Sequence, residues 1–544
     1  MGAVALTFDD GPDPVWTPRV LAELDRQQAA ATFFVDAKRA LACPDLVAAI
    51  VAGGHEVGFH CFDHVRHSER SEAELTEEAD RGLAALASLG LRPAVWRTPW
   101  GVETEATRRV AAAHGLELRG WNRDSHDWRG DGCEQMLETI EAEGGLNDGA
   151  VVLMHDGIGP GARRTDCEET VKLTAMLLTG AGASGLRPAG ISELAAGVEL
   201  EQALAALAGA AADLDREPRF PAEAFAALSG AEVLVATVGA VRDSVPVAGE
   251  WELVRRVAAA DASVGRILDG HLNAVERLEV AAEPALREAE LARLEEGGRV
   301  LGVWGADPGP DEGPPARLVQ AGAGVVLRGA KTFCSGAGGV DATLVMVGSD
   351  DGTPPRLVLV ECDERVEVDR GWYRAAGLRA SESHRVRFRD TPVVAILGEP
   401  GELGREPWFS RDAMRTAASW AGMVDAAADA ALADLAARRA EDPLAQLAAG
   451  RIEAARGTVD AWLARAAKAV DAGVELRQLS VQMRVEIDRA AKAVLEAAAA
   501  ACGSHPFVTG ARLDRARRDL ETFLLQHRLD PLLVQTGAKI LEGR

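Results

Sequence analysis

The stretch Thr7-Phe8-Asp9-Asp10-Gly11-Pro12 follows directly on an apolar run at residues 3–6. An apolar run that is bounded by a Gly-Pro turn is typical of a buried strand, and the two carboxylates stand at its carboxyl end. Because Asp9 and Asp10 are adjacent, one of them can bind a metal ion while the other acts as a general base. The motif therefore predicts chemistry at the end of a first β-strand.

Outward from this motif, short apolar runs alternate with amphipathic helical stretches as far as about residue 197. Strands are predicted at residues 3–8, 31–35, 56–59, 95–97, 117–121 and 150–155, and helices at 18–28, 44–53, 71–89 and 103–114. Repeated βα units predict a largely parallel sheet or barrel, in which chemistry collects at the carboxyl ends of the strands.

The pattern changes near residues 195–201, so a second domain is predicted there. Residues 199–295 are typical of helices, residues 300–394 of β-structure, and residues 414–525 of Ala-rich helices interrupted at Asp442-Pro443, Gly473 and Gly503-Ser504. Long helices with short breaks predict a helical bundle. The 544-residue chain is also too long for one ordinary core. The fold class is therefore multidomain.

Composition restricts the class of protein. A hydrophobic fraction of 47% with 26% charged residues is typical of a soluble globular protein. The net charge of -25 argues against a nucleic-acid-binding protein, which usually carries a basic patch. Seven scattered cysteines without a CxxC pair predict reduced thiols. No signal peptide precedes the first motif and no apolar run is long enough to cross a bilayer, so a cytoplasmic protein without a membrane span is expected.

Four later stretches, at residues 60–64, 97–101, 124–128 and 153–155, carry residues that suit the same chemistry. His60 and His64 are spaced i, i+4, so both imidazoles can point to one side of a helical turn. With Asp10 they form a set of two histidines and one carboxylate, which is usual for a divalent metal in a hydrolase. His155, at the end of an apolar strand, can act as an acid if a carboxylate partner orients it.

In their order and spacing, these stretches resemble the NodB-homology polysaccharide deacetylases, carbohydrate esterase family 4. All five family motifs are present: TFDDGP at 7–12, HxxxH at 60–64, RxPxG at 97–101, DxxDW at 124–128 and LxH at 153–155. The resemblance covers about residues 1–197 and implies an irregular (β/α) barrel. It also implies a metal-dependent hydrolase that removes acetyl groups from nitrogen.

The resemblance implies a role for each matching residue. Asp9 is the general base, and Arg97 keeps it ionised and aimed. Asp10, His60 and His64 hold the metal, most often zinc. His155 protonates the leaving amine with electrostatic support from Asp127. The remaining site residues bind substrate: Trp128 and Leu153 line the floor that receives the acetyl methyl group, and the backbone N–H of Trp100 faces the oxyanion.

The expected substrate is a small acetylated amino sugar or a glycosylated metabolite. Without an export signal, peptidoglycan and chitin are less expected than a soluble amino sugar, a sugar-bearing lipid precursor or a secondary metabolite, because both polymers lie outside the cytoplasm.

Residues 198–544 resemble an acyl-CoA dehydrogenase-type flavoprotein, with a helical domain at about 198–298, a β domain at 299–398 and a helical bundle at 399–544. The resemblance rests on Phe220-Pro221 and on residues 327–341, 377–392, 439–446 and 513–527. It implies FAD or FMN as cofactor, with Phe333 and Ser335 against the flavin ring and Arg439 near the cofactor pyrophosphate. It also implies a homo-oligomer, either a dimer or a tetramer.

Three functions remain open for this second domain. It can oxidise an acyl thioester, it can hydroxylate a substrate such as the amine that the first domain exposes, or it can be a non-catalytic oligomerising scaffold. The Glu-Gly-Thr that usually supplies the dehydrogenase base is not found near the C-terminus, where residues 523–531 stand instead, and this pattern is closer to flavin monooxygenases. His527, in the same stretch, is interpreted either as an active-site residue or as a helix cap.

Overall fold

The computed structural model describes residues 2–322, 324–350, 352–508 and 511–542. The chain divides into two compact units, Met1–Glu199 and Leu200–Arg544.

Unit 1 is built on a parallel sheet of eight strands: β1 (Ala3–Asp9), β2 (Thr32–Asp36), β3 (Glu56–Cys61), β4 (Val95–Trp96), β5 (Glu117–Leu118), β6 (Arg123–Asp124), β7 (Ala150–His155) and β8 (Arg187–Pro188). The order is β5-β4-β3-β2-β1-β7-β6, and β8 pairs with β1. Among the described strands no pairing joins β5 to β6, so the sheet is a half-barrel that stays open at this point. The predicted irregular (β/α) barrel is confirmed in this open form.

Helices fill the connections of unit 1: α1 (Thr17–Arg26), α2 (Ala37–Ala42), α3 (Pro44–Ala52), α4 (Glu72–Ser88), α5 (Glu105–Ala113), α6 (Cys133–Ala142), α7 (Glu168–Ala183) and the first turns of α8 (Ile191–Arg216). A capping box between Ser71 and Glu74 fixes the start of α4. Val4, Leu6 and Phe8 of β1 belong to the main hydrophobic core of unit 1. The apolar run that precedes the first motif therefore lies buried in the centre of the sheet.

One helix meets the length and hydropathy criteria for a candidate membrane span, which the sequence had not predicted. Helix α8 is long enough and, at a mean hydropathy of 1.2, apolar enough to cross a bilayer by length and composition alone. Leu207 and Leu214 of α8 are buried, but only 28% of the apolar window is buried, so length and composition alone make this helix a candidate. The helix escaped the sequence analysis because its apolar residues are mostly alanines, interspersed with acidic residues.

Unit 2 begins with helices: the rest of α8, then α9 (Ala222–Gly230), α10 (Val247–Ala260), α11 (Ala262–Ala281) and α12 (Pro284–Glu295). Two four-stranded sheets follow, from β9 (Leu301–Trp304), β10 (Arg317–Ala321), β11 (Gly324–Cys334), β12 (Ala342–Val347), β13 (Arg356–Glu361), β14 (Val366–Asp369), β15 (His384–Pro392) and β16 (Ala395–Leu397). Their orders are β10-β11-β15-β14 and β16-β13-β12-β9.

The last part of unit 2 is again helical: α13 (Trp408–Arg439), α14 (Pro443–Asp471), α15 (Arg477–Cys502), α16 (Arg512–Leu525) and α17 (Asp530–Glu542). The Asp442 side chain accepts a hydrogen bond from the N–H of Leu444 and so caps α14 at the break that the sequence predicts. Met414, Trp420 and Leu435 of α13 belong to one core cluster that also contains residues of α10, α14, α15 and α16. Small alanine side chains let these long helices pack closely.

Candidate active site

The carboxyl ends of the central strands of unit 1 bring the predicted residues to one edge of the sheet. Strands β1 and β7 pair in parallel with Asp9 opposite His155, although 145 residues separate the two positions. Asp10 comes next and has a left-handed backbone with φ 68°. Asp9, Asp10, His60, His64 and His155 all line one cavity of about 260 Å³.

Asp10, His60 and His64 form a group whose ligand atoms lie within 4.8 Å of one another. Oδ1 of Asp10 is 3.4 Å from Nε2 of His60 and 3.2 Å from Nε2 of His64. The two imidazoles hold the pKa of the Asp10 carboxyl well below its usual range, although burial opposes this shift. These three side chains can hold one divalent cation.

The two histidines do not meet on a helical turn, so that prediction from their spacing is wrong. His60 lies on strand β3 and His64 lies in the loop after it, with φ 47°, so no helical turn carries the pair. The Nδ1 atom of His60 is 2.8 Å from the carbonyl oxygen of Arg97. If Nδ1 donates this bond, Nε2 is left without a proton and is free to bind a metal.

Asp9 is paired with Arg97 in a buried environment. Nη1 of Arg97 donates to Oδ1 of Asp9 at 3.0 Å and to Oγ1 of Thr7 at 2.6 Å. The guanidinium also donates to the carbonyl oxygens of Arg119 and Gly120, which hold it in place. Only 1% of the Arg97 side chain is exposed, so its charge is fixed beside Asp9. This pair places the Asp9 carboxylate at the wall of the cavity.

His155 is oriented by Asp127. Nδ1 of His155 is 2.7 Å from Oδ1 of Asp127, and the backbone N–H of His155 donates to Oδ2 of Asp127 at 2.9 Å. Burial opposes protonation of the imidazole, but the Asp127 carboxylate outweighs burial and raises the pKa of His155 to about 9. Burial likewise opposes ionisation of Asp127, yet His155 and Arg164 lower the pKa of this carboxyl to about 2. The pair is therefore charged at neutral pH and can donate a proton from His155.

Trp100, Trp128 and Leu153, predicted to bind substrate, all line the same cavity. Leu153 is buried, whereas 43% of Trp100 is exposed at the mouth of the cavity. The ring of Trp100 meets His64 edge to face, with 4.4 Å between the ring centroids. The cavity thus combines an apolar wall with the charged groups at the strand ends.

Several residues at this cavity escaped the sequence analysis. They are Trp121, the loop residues Gly157, Gly159, Pro160, Gly161 and Ala162, and Arg164, whereas Asp124 belongs to the DxxDW motif but had no predicted role. The repeated glycines just after the LxH motif are the one signal that could have indicated this loop. At Gly159 the loop approaches the carboxylate of Asp10 so closely that an added Cβ would lie 1.9 Å from Oδ2.

In unit 2, two of the three predicted flavin residues, Phe333 and Ser335, lie close together, whereas Arg439 lies elsewhere in the unit. Phe333 and Ser335 lie at the end of β11, where 51% of Phe333 is exposed and its ring meets Trp372 with 5.0 Å between centroids. The Oγ atoms of Ser335 and Ser383 are 3.0 Å apart. Arg439 ends α13 and donates to the carbonyl oxygen of Ala501 at 2.7 Å. No contact among the described residues of this unit joins Arg439 to Phe333 or Ser335.

His527 is half-buried beside two core aromatic residues of the helical bundle. Its ring lies 5.2 Å from that of Trp420 and 5.6 Å from that of Phe523, between centroids. Burial lowers the pKa of His527 to about 3, so the imidazole is neutral. Helix α16 ends at Leu525, two residues before it. These contacts favour a packing role over either of the two predicted interpretations.

Comparisons with known proteins agree with the geometry of unit 1. The polysaccharide deacetylase family model matches residues 2–118. The chain is 35% identical to a chitooligosaccharide deacetylase of Bradyrhizobium sp. (strain ANU 289) over 184 residues, which are 32% of this chain and 83% of the relative. It is 33% identical to a peptidoglycan-N-acetylglucosamine deacetylase of Bacillus cereus over 193 residues, which are 35% of this chain and 87% of the relative.

A solved structure matches the larger share of the chain. FMN-bound TdsC from Paenibacillus sp. A11-2 has a TM-score of 0.57 and 20% sequence identity, over 64% of this chain and 98% of that protein. At this identity the match establishes the fold alone, which is acyl-CoA dehydrogenase-like. The chain belongs to the NodB-homology polysaccharide deacetylases, carbohydrate esterase family 4, and carries an acyl-CoA dehydrogenase-like fold in the rest of its length.

Proposed function

We propose that this protein is a metal-dependent N-deacetylase that hydrolyses the acetamide of an acetylated amino sugar. Residues 1–197 would be the deacetylase domain and residues 198–544 the flavoprotein-like domain. The observation that carries the proposal is the convergence of Asp9, Asp10, His60, His64 and His155 on one cavity. A base, a metal-binding group and an acid are the three functions that metal-assisted amide hydrolysis needs.

The donor set suits a divalent cation, zinc above all. One carboxylate oxygen and two imidazole nitrogens are ligands that zinc binds in hydrolases, and three protein ligands leave a position open. Asp10, His60 and His64 would hold the ion. When bound, it would lower the pKa of a coordinated water and polarise the acetyl carbonyl.

The protein's own groups would move the protons. Asp9, held by Arg97, takes a proton from the attacking water, whose oxygen forms a bond to the acetyl carbon. His155, held by Asp127, gives a proton to the leaving nitrogen as the C–N bond breaks, so the products are acetate and a free amine. The backbone N–H of Trp100 faces the oxyanion, and Trp128 and Leu153 receive the methyl group.

The substrate class follows from the two named relatives. One relative is a chitooligosaccharide deacetylase and the other a peptidoglycan-N-acetylglucosamine deacetylase, so both names describe the deacetylation of a saccharide. Both names point to the saccharides that were the less expected substrates. We infer that an N-acetylglucosamine unit is the acetylated group, in a soluble metabolite or in an oligosaccharide.

The deacetylase proposal is tested by the release of acetate. Bound metal is removed from the full-length protein with a chelator, and the protein is reloaded with zinc. It is then incubated with N-acetylglucosamine, the fully N-acetylated chitotetraose and a soluble peptidoglycan fragment. Acetate and a free amine should appear in equal amounts with at least one of these substrates, and only after reloading. Acetate release from the stripped protein would contradict metal dependence, and no release from any acetylated sugar would contradict the proposed substrate class.

For residues 198–544 we propose flavin binding, because the fold neighbour is FMN-bound. The exposed Phe333 ring beside Trp372 offers a flat apolar contact, and the hydroxyls of Ser335 and Ser383 offer hydrogen bonds, so this end of β11 suits a flavin ring. Arg439 would reach the pyrophosphate of FAD only from a partner copy. A bound flavin would supply electron transfer to a substrate or to oxygen.

Titration with FMN and FAD, oxidised and reduced, tests this second proposal by absorbance and fluorescence. Phe333→Ala should weaken binding, and Phe409→Ala is a matched control because 44% of Phe409 is exposed on helix α13. Stoichiometric binding would justify assays of acyl-CoA desaturation and of amine oxidation, which separate a dehydrogenase from a monooxygenase. No binding in either redox state would favour the oligomerising scaffold. The dimer or tetramer, like the cytoplasmic location, stays a prediction, and light scattering would measure the oligomer.

A further inference from the structure

Arg164 is a buried cation next to the acid pair of unit 1, and neither motif nor family resemblance assigns it a role. It lies in the loop between β7 and α7, and only 6% of its side chain is exposed. Nη1 donates to Oδ2 of Asp127 at 2.7 Å and to Oγ1 of Thr170 at 2.5 Å. Nη2 donates to the carbonyl oxygens of His155 at 3.0 Å and of Gly157 at 2.9 Å.

These bonds give the two carboxylate oxygens of Asp127 different hydrogen-bond partners. Oδ2 accepts from Arg164, from the hydroxyl of Thr170 at 2.8 Å and from the backbone N–H of His155. Oδ1 is left for the imidazole of His155 alone among these groups. Because three donors fix Oδ2, the carboxylate cannot rotate, and Oδ1 stays aimed at Nδ1 of His155.

The charge of Arg164 matters when His155 loses its proton. Asp127 is 3% exposed, and a buried carboxylate is stable only while a cation or hydrogen bonds compensate it. A protonated His155 supplies one positive charge, but that charge leaves with the proton given to the amine. Arg164 keeps its charge throughout, so Asp127 stays ionised and His155 keeps its Nδ1–H and its orientation.

We propose that Arg164 is a positioning residue for the acid step, acting on His155 through Asp127. This inference rests on the proposed deacetylation. In the step itself the Nε2–H bond of His155 breaks, an N–H bond forms on the leaving nitrogen and the C–N bond to the acetyl carbon breaks. The imidazole ends neutral, with its Nδ1–H still donated to Asp127.

Substrates with different leaving groups distinguish this role from general support of the fold. An acetamide needs a proton on its leaving nitrogen, whereas 4-nitrophenyl acetate releases a stable phenolate that needs none. Arg164→Gln should lower kcat for chitotetraose by on the order of 100-fold, the lower range for general acid catalysis, with little change in KM. Hydrolysis of the aryl ester should fall by less than about threefold.

Three further variants of the zinc-loaded full-length protein test whether the loss measured for Arg164→Gln is specific to amide hydrolysis. Arg163→Gln makes the same chemical change at the neighbouring exposed position and should leave both substrates unaffected. His155→Ala should show the same amide-selective loss as Arg164→Gln. Thr170→Val removes one donor to Oδ2 but keeps the guanidinium, and should produce a smaller loss of the same kind. If Arg164→Gln does not fold, Thr170→Val carries the test.

The outcomes are separable. Amide-selective loss supports the positioning role. An equal loss on both substrates would assign Arg164 to the fold alone, and no loss on either would show that Asp127 needs no fixed partner; both results would overturn the inference. Failure of the proposed function is a different result, because the wild-type protein would then hydrolyse the aryl ester and release no acetate from any acetamide.

Discussion

Replacement of Gly159 by alanine should weaken metal binding, although Gly159 is not a predicted ligand. Gly159 belongs to the loop after β7 and lines the cavity. An alanine Cβ there would lie 1.9 Å from Oδ2 of Asp10, 2.5 Å from Cγ and 2.8 Å from Oδ1. The backbone at Gly159 is outside the left-handed region, so alanine adds no strain and the effect comes from the collision alone.

The size of the effect follows from this distance. Real Cβ atoms essentially never approach another heavy atom within 3.0 Å, so the loop or the Asp10 carboxylate must move by at least 3.0 - 1.9 = 1.1 Å. Metal–ligand distances tolerate only about 0.2 Å, and a misplacement of about 1 Å can cost on the order of 100-fold in rate. We therefore expect the Kd for zinc to rise by about 10- to 100-fold, or about 1.4–2.7 kcal/mol.

The assay is a competition titration of stripped full-length protein with zinc and a chromogenic chelator. Gly182→Ala is the matched control, because Gly182 lies in helix α7 and an added Cβ there meets nothing within 4 Å. Both variants should keep the wild-type circular dichroism spectrum, and the thermal midpoint of Gly182→Ala should not fall below the wild-type value. A zinc Kd of Gly159→Ala within about twofold of the wild-type value would refute the reasoning, since it would mean that the loop does not lie against Asp10.

Three other substitutions test the remaining assignments. Asp9→Asn should abolish deacetylation while zinc stays bound, and retained turnover would refute the base. His60→Ala should lose the metal, whereas His114→Ala, whose imidazole is bound to Asp80, should keep it; equal zinc content in both would exclude His60 as a ligand. Asp519→Asn should raise the thermal midpoint at pH 8 and leave it unchanged near pH 4. Burial raises the pKa of Asp519 to about 7, above about 3.9 in the unfolded chain, so the folded protein binds the extra proton and loses stability as pH rises between these values. An equal shift at both pH values would contradict this linkage.

Residue types and their order were enough to predict the first unit. The apolar run before Asp9 forms β1, the RxPxG motif follows β4, and the LxH motif ends β7, with the carboxyl ends of these strands at the cavity. In the second unit the breaks at Asp442-Pro443 and Gly503-Ser504 coincide with the ends of long helices. These features are local, because hydrophobic periodicity, proline and glycine act within a few residues of themselves.

The errors and omissions have one physical cause. The i, i+4 spacing of His60 and His64 is compatible with a helix and also with a strand followed by a turn, and the pairing of β3 with β2 decides between them. Arg164 contacts Asp127 across 37 residues of sequence. Such a contact leaves no periodic signal in the sequence.

The sequence by itself determined the alternation of strands and helices, the residue types of the candidate metal ligands and the edge of the sheet where they gather, because parallel strands present their carboxyl ends together. Only the tertiary structure decided that the half-barrel stays open, that the glycine loop lies against Asp10 and that Arg164 fixes one oxygen of Asp127. Each of these depends on the packing of residues that are distant in sequence, and packing selects one arrangement among many that share the same local pattern.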